Sequence, residues 1–355
     1  MKRKISLILS VTMLAASLAA CGGSGSTTST TAAAAPAETK AAEAAAPAAS
    51  GDKITIIMGH EGNDDLPDGI MALKFNELLE ERSGGRIVVD YKSNGTLGDE
   101  DELVQQVMNG SIQATPVSTS TFSNYTDIMD ALQLPFLYDG YETERTALKS
   151  DAARKIYADM EEFGLVITDV VEIGLRHFAN NKKPITSMAD LSGIKMRIVP
   201  SVLLKDVAGA IKMESTPVAY SEIYSALQSG VIDGEEINLI SIISNSHDEV
   251  LKYVSLIGFY SFPSALTFNQ KWFESLSAED QALIRECSAE AMDYAMDQCE
   301  AIEKDCLEQC KQKGLEVNEI GEAEKQEFID ACQSVYEKYC ANEDIKAFVD
   351  YVEGL

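Results

Sequence analysis

The sequence is poor in cations: 29 Lys and Arg stand against 57 Asp and Glu, a formal net charge of −28. A surface that acidic argues against nucleic acid and anionic lipid as ligands. A small anion is not excluded, because one arginine in a cleft outweighs a distant, screened field. Histidine is scarcer still. His60, His177 and His247 form no H-E-x-x-H and lie far from the cysteines, among which there is no Cys-x-x-Cys, so no metal centre is expected. Catalytic signatures are missing as well, with no G-x-S-x-G, no P-loop and no G-x-G-x-x-G. Ser192-Gly-Ile-Lys195 matches S-x-x-K without the companion S-D-N and K-T-G segments, so a surface serine hydrolase is only a minor alternative and no cofactor is expected. Cysteine is absent between Cys21 and Cys287, and the other six (Cys287, Cys299, Cys306, Cys310, Cys332, Cys340) follow in the last seventy residues. Disulfides and buried free thiols both remain open readings.

What is present begins with a processing signal. Lys2-Arg3-Lys4 precedes an apolar run from Ile5 to Leu18 that is too short to span a bilayer. It ends at Leu18-Ala-Ala-Cys21, which reads as a lipobox with Cys21 lipidated; plain secretion is the alternative. No later apolar run approaches the roughly twenty residues of a membrane span. Gly22 to Ser50 is mainly Gly, Ser, Thr, Ala and Pro with no large apolar side chain, a composition that suits a flexible tether. The expected organisation is a leader over 1–20, a tether over 21–52 and a globular part of roughly 300 residues, enough for two lobes sharing a cleft.

The globular part alternates strand and helix patterns. Strands are expected at Lys53–Gly59, Arg86–Tyr91, Ser111–Val117, Leu165–Val171, Leu175–Asn180 and Gly193–Val199. Helices are expected at Met71–Glu81, after Asp99 with a capping-box Glu102, at Lys155–Glu162, Val202–Ala210 and Ser221–Gln228. Ala278–Lys313 has neither Gly nor Pro and predicts one very long helix; Glu322–Tyr339 predicts another. Alternating βα units imply mainly parallel sheets with helices on both faces.

Arg176 and Arg197 each sit within a strand pattern. On neighbouring strands both would reach one cleft edge, where open α/β sheets bind ligands; structural ion pairs are the competing reading. Arginine matches a carboxylate with two parallel hydrogen bonds. Asp233-Gly-Glu-Glu236 reads as an acidic turn placed to lock Arg197 or hold a ligand hydroxyl. Tyr220 and Tyr224, four apart, are expected on one helix face, as core or as ligand platform. The loop from Gly59 to Asp68 joins a strand to a helix and is expected to face the cleft.

Five segments in order carry a resemblance: Gly95-Thr-Leu-Gly-Asp-Glu-Asp-Glu-Leu103, Gly110-Ser-Ile, Leu134-Pro-Phe-Leu-Tyr138, the run around Arg197, and Ala226-Leu-Gln-Ser-Gly-Val-Ile-Asp-Gly234. The chain resembles the solute-binding proteins of tripartite ATP-independent periplasmic (TRAP) transporters, DctP family, from about residue 53 to near its end. The resemblance implies a two-lobed α/β periplasmic-binding-protein fold with crossing interlobe strands and a long C-terminal helix spanning both lobes. It places 53–173 with 263–302 in lobe I and 174–262 with 303–355 in lobe II. It puts the ligand arginine at Arg197, a second arginine at Arg176 and a pocket aromatic at Tyr220. His60 would line the pocket, with Ser118 or Thr119 supplying hydroxyls. In many members an Asn at the position of Ile237 joins the arginine at the carboxylate; here Asn238 follows one place later, and either it serves at the ligand in that role or the contact is absent. The resemblance further implies a monomeric, membrane-tethered receptor, not an enzyme, that binds a small organic acid and delivers it to a TRAP permease. A sensor of the same fold is the alternative.

Overall fold

The computed structural model describes residues 51–355; the leader, Cys21 and the tether to Ser50 lie outside the described residues. Eleven strands form two sheets. In chain order they are β1 Ile54–Gly59, β2 Ile87–Lys92, β3 Ala114–Ser118, β4 Leu165–Glu172, β5 His177–Asn180 and β6 Met196–Ile198. β7 Ser215–Pro217, β8 Gly234–Ile237, β9 Tyr253–Leu256, β10 Pro263–Asn269 and β11 Glu316–Glu319 complete the set. The first sheet has the order β2-β1-β3-β10-β4 and the second β11-β9-β5-β8-β6-β7. β1 is parallel to β2 and β3, whereas β10 is antiparallel to both neighbours. β5 is likewise antiparallel to β8 and β9. The sheets are therefore mixed, not mainly parallel. The strands that carry the chain between the lobes enter each sheet against the direction of the βα units.

The helices are α1 Pro67–Arg82, α2 Glu100–Asn109, α3 Thr119–Phe122, α4 Tyr141–Leu148, α5 Asp151–Asp159 and α6 Val202–Ala210. They continue with α7 Ile223–Ser229, α8 Leu239–Ser244, α9 Gln270–Ser275, α10 Ala278–Gln312, α11 Glu322–Tyr339 and α12 Glu343–Val352. The capping box expected at α2 forms: Asp99 accepts from the Glu102 amide while the Glu102 side chain accepts from the Asp99 amide. Without Gly or Pro, α10 runs 35 residues, about 52 Å at the helical rise. Its buried stripe, Ile284, Cys287, Ala291, Met292, Ala295, Met296 and Cys299, follows the three-and-four spacing of a core-facing helix. Its early turns pack on α1 and β4 and its later turns on α8, so it spans both sheets. α11 packs on α6 of the second sheet, but α12 returns to α4 and α5 of the first. The expectation that all of 303–355 belongs to lobe II therefore fails at α12.

Two segments cross between the sheets, Ile173–Arg176 after β4 and Ile257–Phe262 before β10. They pair with each other: Ile173 N donates to Phe262 O (3.2 Å), Arg176 N to Tyr260 O (2.9 Å) and Phe259 N to Arg176 O (2.8 Å). Gly174 has φ +119°, and a Cβ there would lie 2.9 Å from Cβ of Asn238, so only glycine fits this crossing.

All six described cysteines are free thiols. Cys287, Cys299, Cys306 and Cys310 lie on the buried face of α10 and Cys332 on that of α11, where a thiol serves as a small apolar side chain. Alkylation in denaturant without reductant, followed by mass spectrometry, is expected to modify all six; any protected pair would contradict the free-thiol arrangement.

Candidate functional site

A space of about 720 Å³, partly continuous with solvent, lies between the two sheets. The second sheet's side supplies Arg176, Arg197, Val199, Tyr220, Asn238 and Ser241, and the first sheet's side His60, Glu61, Asp68, Glu100, Asp101 and Thr121. Phe262, from a crossing segment, also lines it.

Arg197 is the middle residue of β6 and is 2% exposed. Its Nε donates to Val218 O at 2.9 Å. Its Nη1 is buried without a hydrogen-bond partner, 3.8 Å from Glu236 Oε1. Burial pulls the Arg197 pKa below its ordinary value; the charge of Glu236 partly opposes this, and that of Arg176 adds to it. Arg176 stands immediately before β5, and β8 separates β5 from β6. The two arginine strands are thus not neighbours, and Glu236 on the intervening strand stands between the guanidinium groups. Arg176 donates from Nε to Glu236 Oε2 (2.7 Å) and from Nη2 to the Glu236 carbonyl (2.6 Å), and its guanidinium stacks 4.1 Å from the Phe262 ring centroid. Glu236 also accepts from the Tyr260 hydroxyl and the Val199 amide. Two corrections follow. Gly234–Ile237 is a strand and not a turn, and Glu236 lies behind the arginines instead of lining the cavity. Its carboxylate holds Arg176 more firmly than Arg197.

Alternation along β8 sends Ile237 into the apolar core and leaves Asn238 at the cavity. Asn238 caps α8, accepting from the Ser241 amide (2.8 Å), and donates to Ile173 O (2.8 Å). The one-residue offset therefore brings an asparagine to the site with its amide already engaged. Tyr220 belongs to a short 3₁₀ turn, Tyr220–Glu222, and not to the helix that carries Tyr224. Its hydroxyl donates to Ser241 Oγ (3.0 Å), whereas Tyr224 points away to Glu249.

On the opposite wall His60 lines the cavity, as expected. Its Nδ1 meets the Tyr91 hydroxyl at 2.7 Å and its Nε2 meets Asp68 at 3.1 Å. Burial opposes protonation of His60, but the charge and hydrogen bond of Asp68 prevail and raise its pKa. Ser118 and Thr119 do not line the cavity. Ser118 instead donates its amide (2.8 Å) and hydroxyl (2.5 Å) to Glu100, joined by the Thr121 hydroxyl (2.6 Å). Thr119 is buried with an unpartnered hydroxyl. Glu61 and Glu100 were not singled out from sequence, although Glu61 sits in the loop expected to face the cleft and Glu100 follows the N-cap of α2. Ser192 and Lys195 are exposed and outside the cavity.

The lobes meet around this space. Ser221 N donates to Glu61 Oε1 (3.0 Å), Asn63 to Ser244 Oγ (2.7 Å), Asn124 to Pro200 O (3.0 Å) and Leu203 N to Ser123 Oγ (3.0 Å). Burial, and then the charge of Glu100, push the Glu61 pKa up to about 7.

A cleft between two mixed sheets, floored by a buried arginine with a free donor, defines a two-lobed solute-binding protein. The family model of bacterial extracellular solute-binding proteins, family 7 (DctP), matches residues 58–343, and the chain belongs to that family. That family consists of extracellular solute-binding receptors and not enzymes. A solute-binding protein of Roseobacter denitrificans is 30% identical over 250 residues, 70% of this chain and 77% of the relative. An uncharacterized Sinorhizobium fredii protein is 31% identical over 60% of this chain, and that match spans only 39% of the relative's own length. A Bradyrhizobium TRAP periplasmic solute-binding protein in complex with galacturonate superposes with TM-score 0.81 at 28% identity, covering 85% of this chain and 100% of that one. The sugar acid binding protein of Advenella mimigardefordensis, in complex with galactonate, shares the fold with TM-score 0.82 at 24% identity, covering 85% and 99%. No helix among the described residues is long and apolar enough to cross a membrane.

Two predictions follow from this geometry. Glu236→Ala leaves Arg176 buried without its anion and is expected to cost about 3–5 kcal/mol. Urea unfolding measures it, and a loss under about 1 kcal/mol would contradict the anchoring role. The second concerns pH. An unfolded glutamate titrates near 4.5 and Glu61 near 7 in the fold, so the folded state holds that proton more tightly. This contribution is fully present below pH 4.5 and is lost as pH rises through about 7. Glu61→Gln is expected to flatten that part of the stability profile; an unchanged profile would contradict it.

Proposed function

We propose that this chain is an extracytoplasmic TRAP receptor, anchored through lipidated Cys21, that closes as a monomer around a sugar acid. It then delivers the solute to a membrane permease driven by an ion gradient. The observation that carries this reading is the buried, unpartnered Nη1 of Arg197 at the cavity floor. A buried donor without an acceptor is costly, and a carboxylate supplies the missing acceptor with a charge-assisted bond. Arg176 has Nε and Nη2 each bonded to Glu236, which leaves Nη1 as the nitrogen not engaged by that residue. The facing wall of Glu61, Glu100 and Asp101 offers acceptors, which suit hydroxyl donors and disfavour a second carboxylate. That division matches the galacturonate and galactonate held by the two structural neighbours better than it matches a dicarboxylate. Closure excludes water and strengthens each polar contact by lowering the local dielectric.

Arg197→Ala, and also Arg197→Lys, is expected to weaken galacturonate or galactonate binding by at least about 100-fold while the protein stays folded. Calorimetric titration measures this. Affinity retained within about threefold would overturn the anchor role of Arg197.

A further inference from the structure

Beside the cavity, where the chain passes between the lobes, lies a second polar cluster that the ligand site does not use. Glu172 ends β4, and its Oε1 accepts from Gly174 N (2.6 Å) and Phe262 N (3.1 Å), one amide from each crossing segment. Glu144, on α4, accepts from the Ser261 hydroxyl with its Oε2 (3.1 Å). The remaining oxygens, Glu144 Oε1 and Glu172 Oε2, are both buried and have no other donor. Because Glu144 is bonded to Ser261 and Glu172 to the next residue, Phe262, the two carboxyl groups stand side by side. Two bare carboxylates cannot occupy such a site together, and a proton between them is the donor that satisfies both oxygens.

The groups facing the pair do not supply a countercharge. From α10 come Glu303, which accepts from Leu175 N (3.2 Å), and the Cys299 thiol. From α4 comes Tyr141, whose hydroxyl donates to Glu303, and from the segment before it Tyr138. Tyr157 of α5 faces Glu144, and Tyr336 of α11 lies beyond Tyr138. The charge of Arg176 acts on Glu172, but its guanidinium is committed to Glu236. Burial accordingly pushes Glu144 well above the usual carboxylate range, with Glu172 repelling a second charge, and it pushes Glu303 up to about 7.

We propose that Glu144 and Glu172 share a single proton, and that this carboxyl–carboxylate pair clasps the two crossing segments together, so that the hinge loosens as rising pH removes the proton. Rotation of the lobes must turn the backbone at Gly174 and at Ser261–Phe262, the positions bonded to the pair. Turning them admits water, lets both carboxyls ionise and releases the proton to solvent; closing takes it up again. The ratio of clasped to unclasped hinge then falls by up to about tenfold per pH unit while the pair titrates.

The test needs no ligand. Hydrogen exchange of the Phe262 amide is followed in the full chain from about pH 6 to about pH 9 and expressed as protection relative to the intrinsic rate at each pH. In the native sequence protection is expected to fall as pH rises. In Glu144→Gln, whose amide donates permanently to Glu172, it is expected to stay level. The comparison is repeated in a Glu303→Gln background, which removes the neighbouring carboxyl's own titration. Infrared difference spectra near neutral pH are expected to show the same protonated-carboxyl band lost in Glu144→Gln and in Glu172→Gln, while the bands of Glu61 and Glu303 are common to all three proteins and cancel. Parallel protection profiles in the native chain and Glu144→Gln, or difference spectra in which neither variant loses a band, would overturn the proposal. Should Glu144→Gln fail to fold, Glu172→Gln serves in its place, because its side-chain oxygen still accepts from Gly174 and Phe262.

Discussion

Two buried guanidinium groups share one carboxylate, and the rest of the site follows from that imbalance. Glu236 satisfies Arg176 through two hydrogen bonds but reaches Arg197 only at 3.8 Å. A buried cation without a close partner costs several kcal/mol, so it persists only where something else repays the loss. β8 lies between β5 and β6 and so stands beside both arginine strands; its Glu236 carboxylate bonds the residue preceding β5, and the arginine at the centre of β6 keeps a donor for the cavity.

The opposite wall works by the reverse logic. Glu61 and Glu100 arrive from a loop after β1 and from the first turn of α2, and backbone amides and hydroxyls hold both in place. Because Glu61 also accepts from Ser221 across the cleft, the residue that shapes this wall helps hold the lobes together. On the sugar-acid reading proposed above, selectivity and closure are coupled through one side chain: a solute that satisfies the arginine floor and donates to the acidic wall completes both sides.

Much of this was readable in the chain. The boundaries of Val202–Ala210 and Glu322–Tyr339 agree with α6 and α11, because each has a clear apolar stripe or cap. Arg197, Arg176, Tyr220, Asn238 and His60 were all placed at the cavity from sequence and family resemblance. The errors have physical causes. Glu236 looked like part of a turn because Asp-Gly precedes it, but pairing with β5 on one side and β6 on the other makes its segment a strand. Ser118 follows an apolar strand and seemed free to meet a ligand; Glu100 claims its amide and hydroxyl, a tertiary contact that no local pattern encodes. β10 was not anticipated because Pro263–Asn269 is buried throughout and lacks the alternation of a half-exposed strand. The return of α12 to the first lobe has no local signature either.

The position of β10 has a consequence for how the chain matures. It lies between β3 and β4, yet it follows β4 by ninety residues, after the whole second sheet except β11. Until Asn269 has emerged from the ribosome, β3 and β4 have no strand to join them, and the first sheet is two fragments with bare edges. Long-range closure of this kind is slow, so the first sheet is completed only after nearly all of the second has been synthesised. The strand that locks the sheet thus also acts as a clock for its assembly.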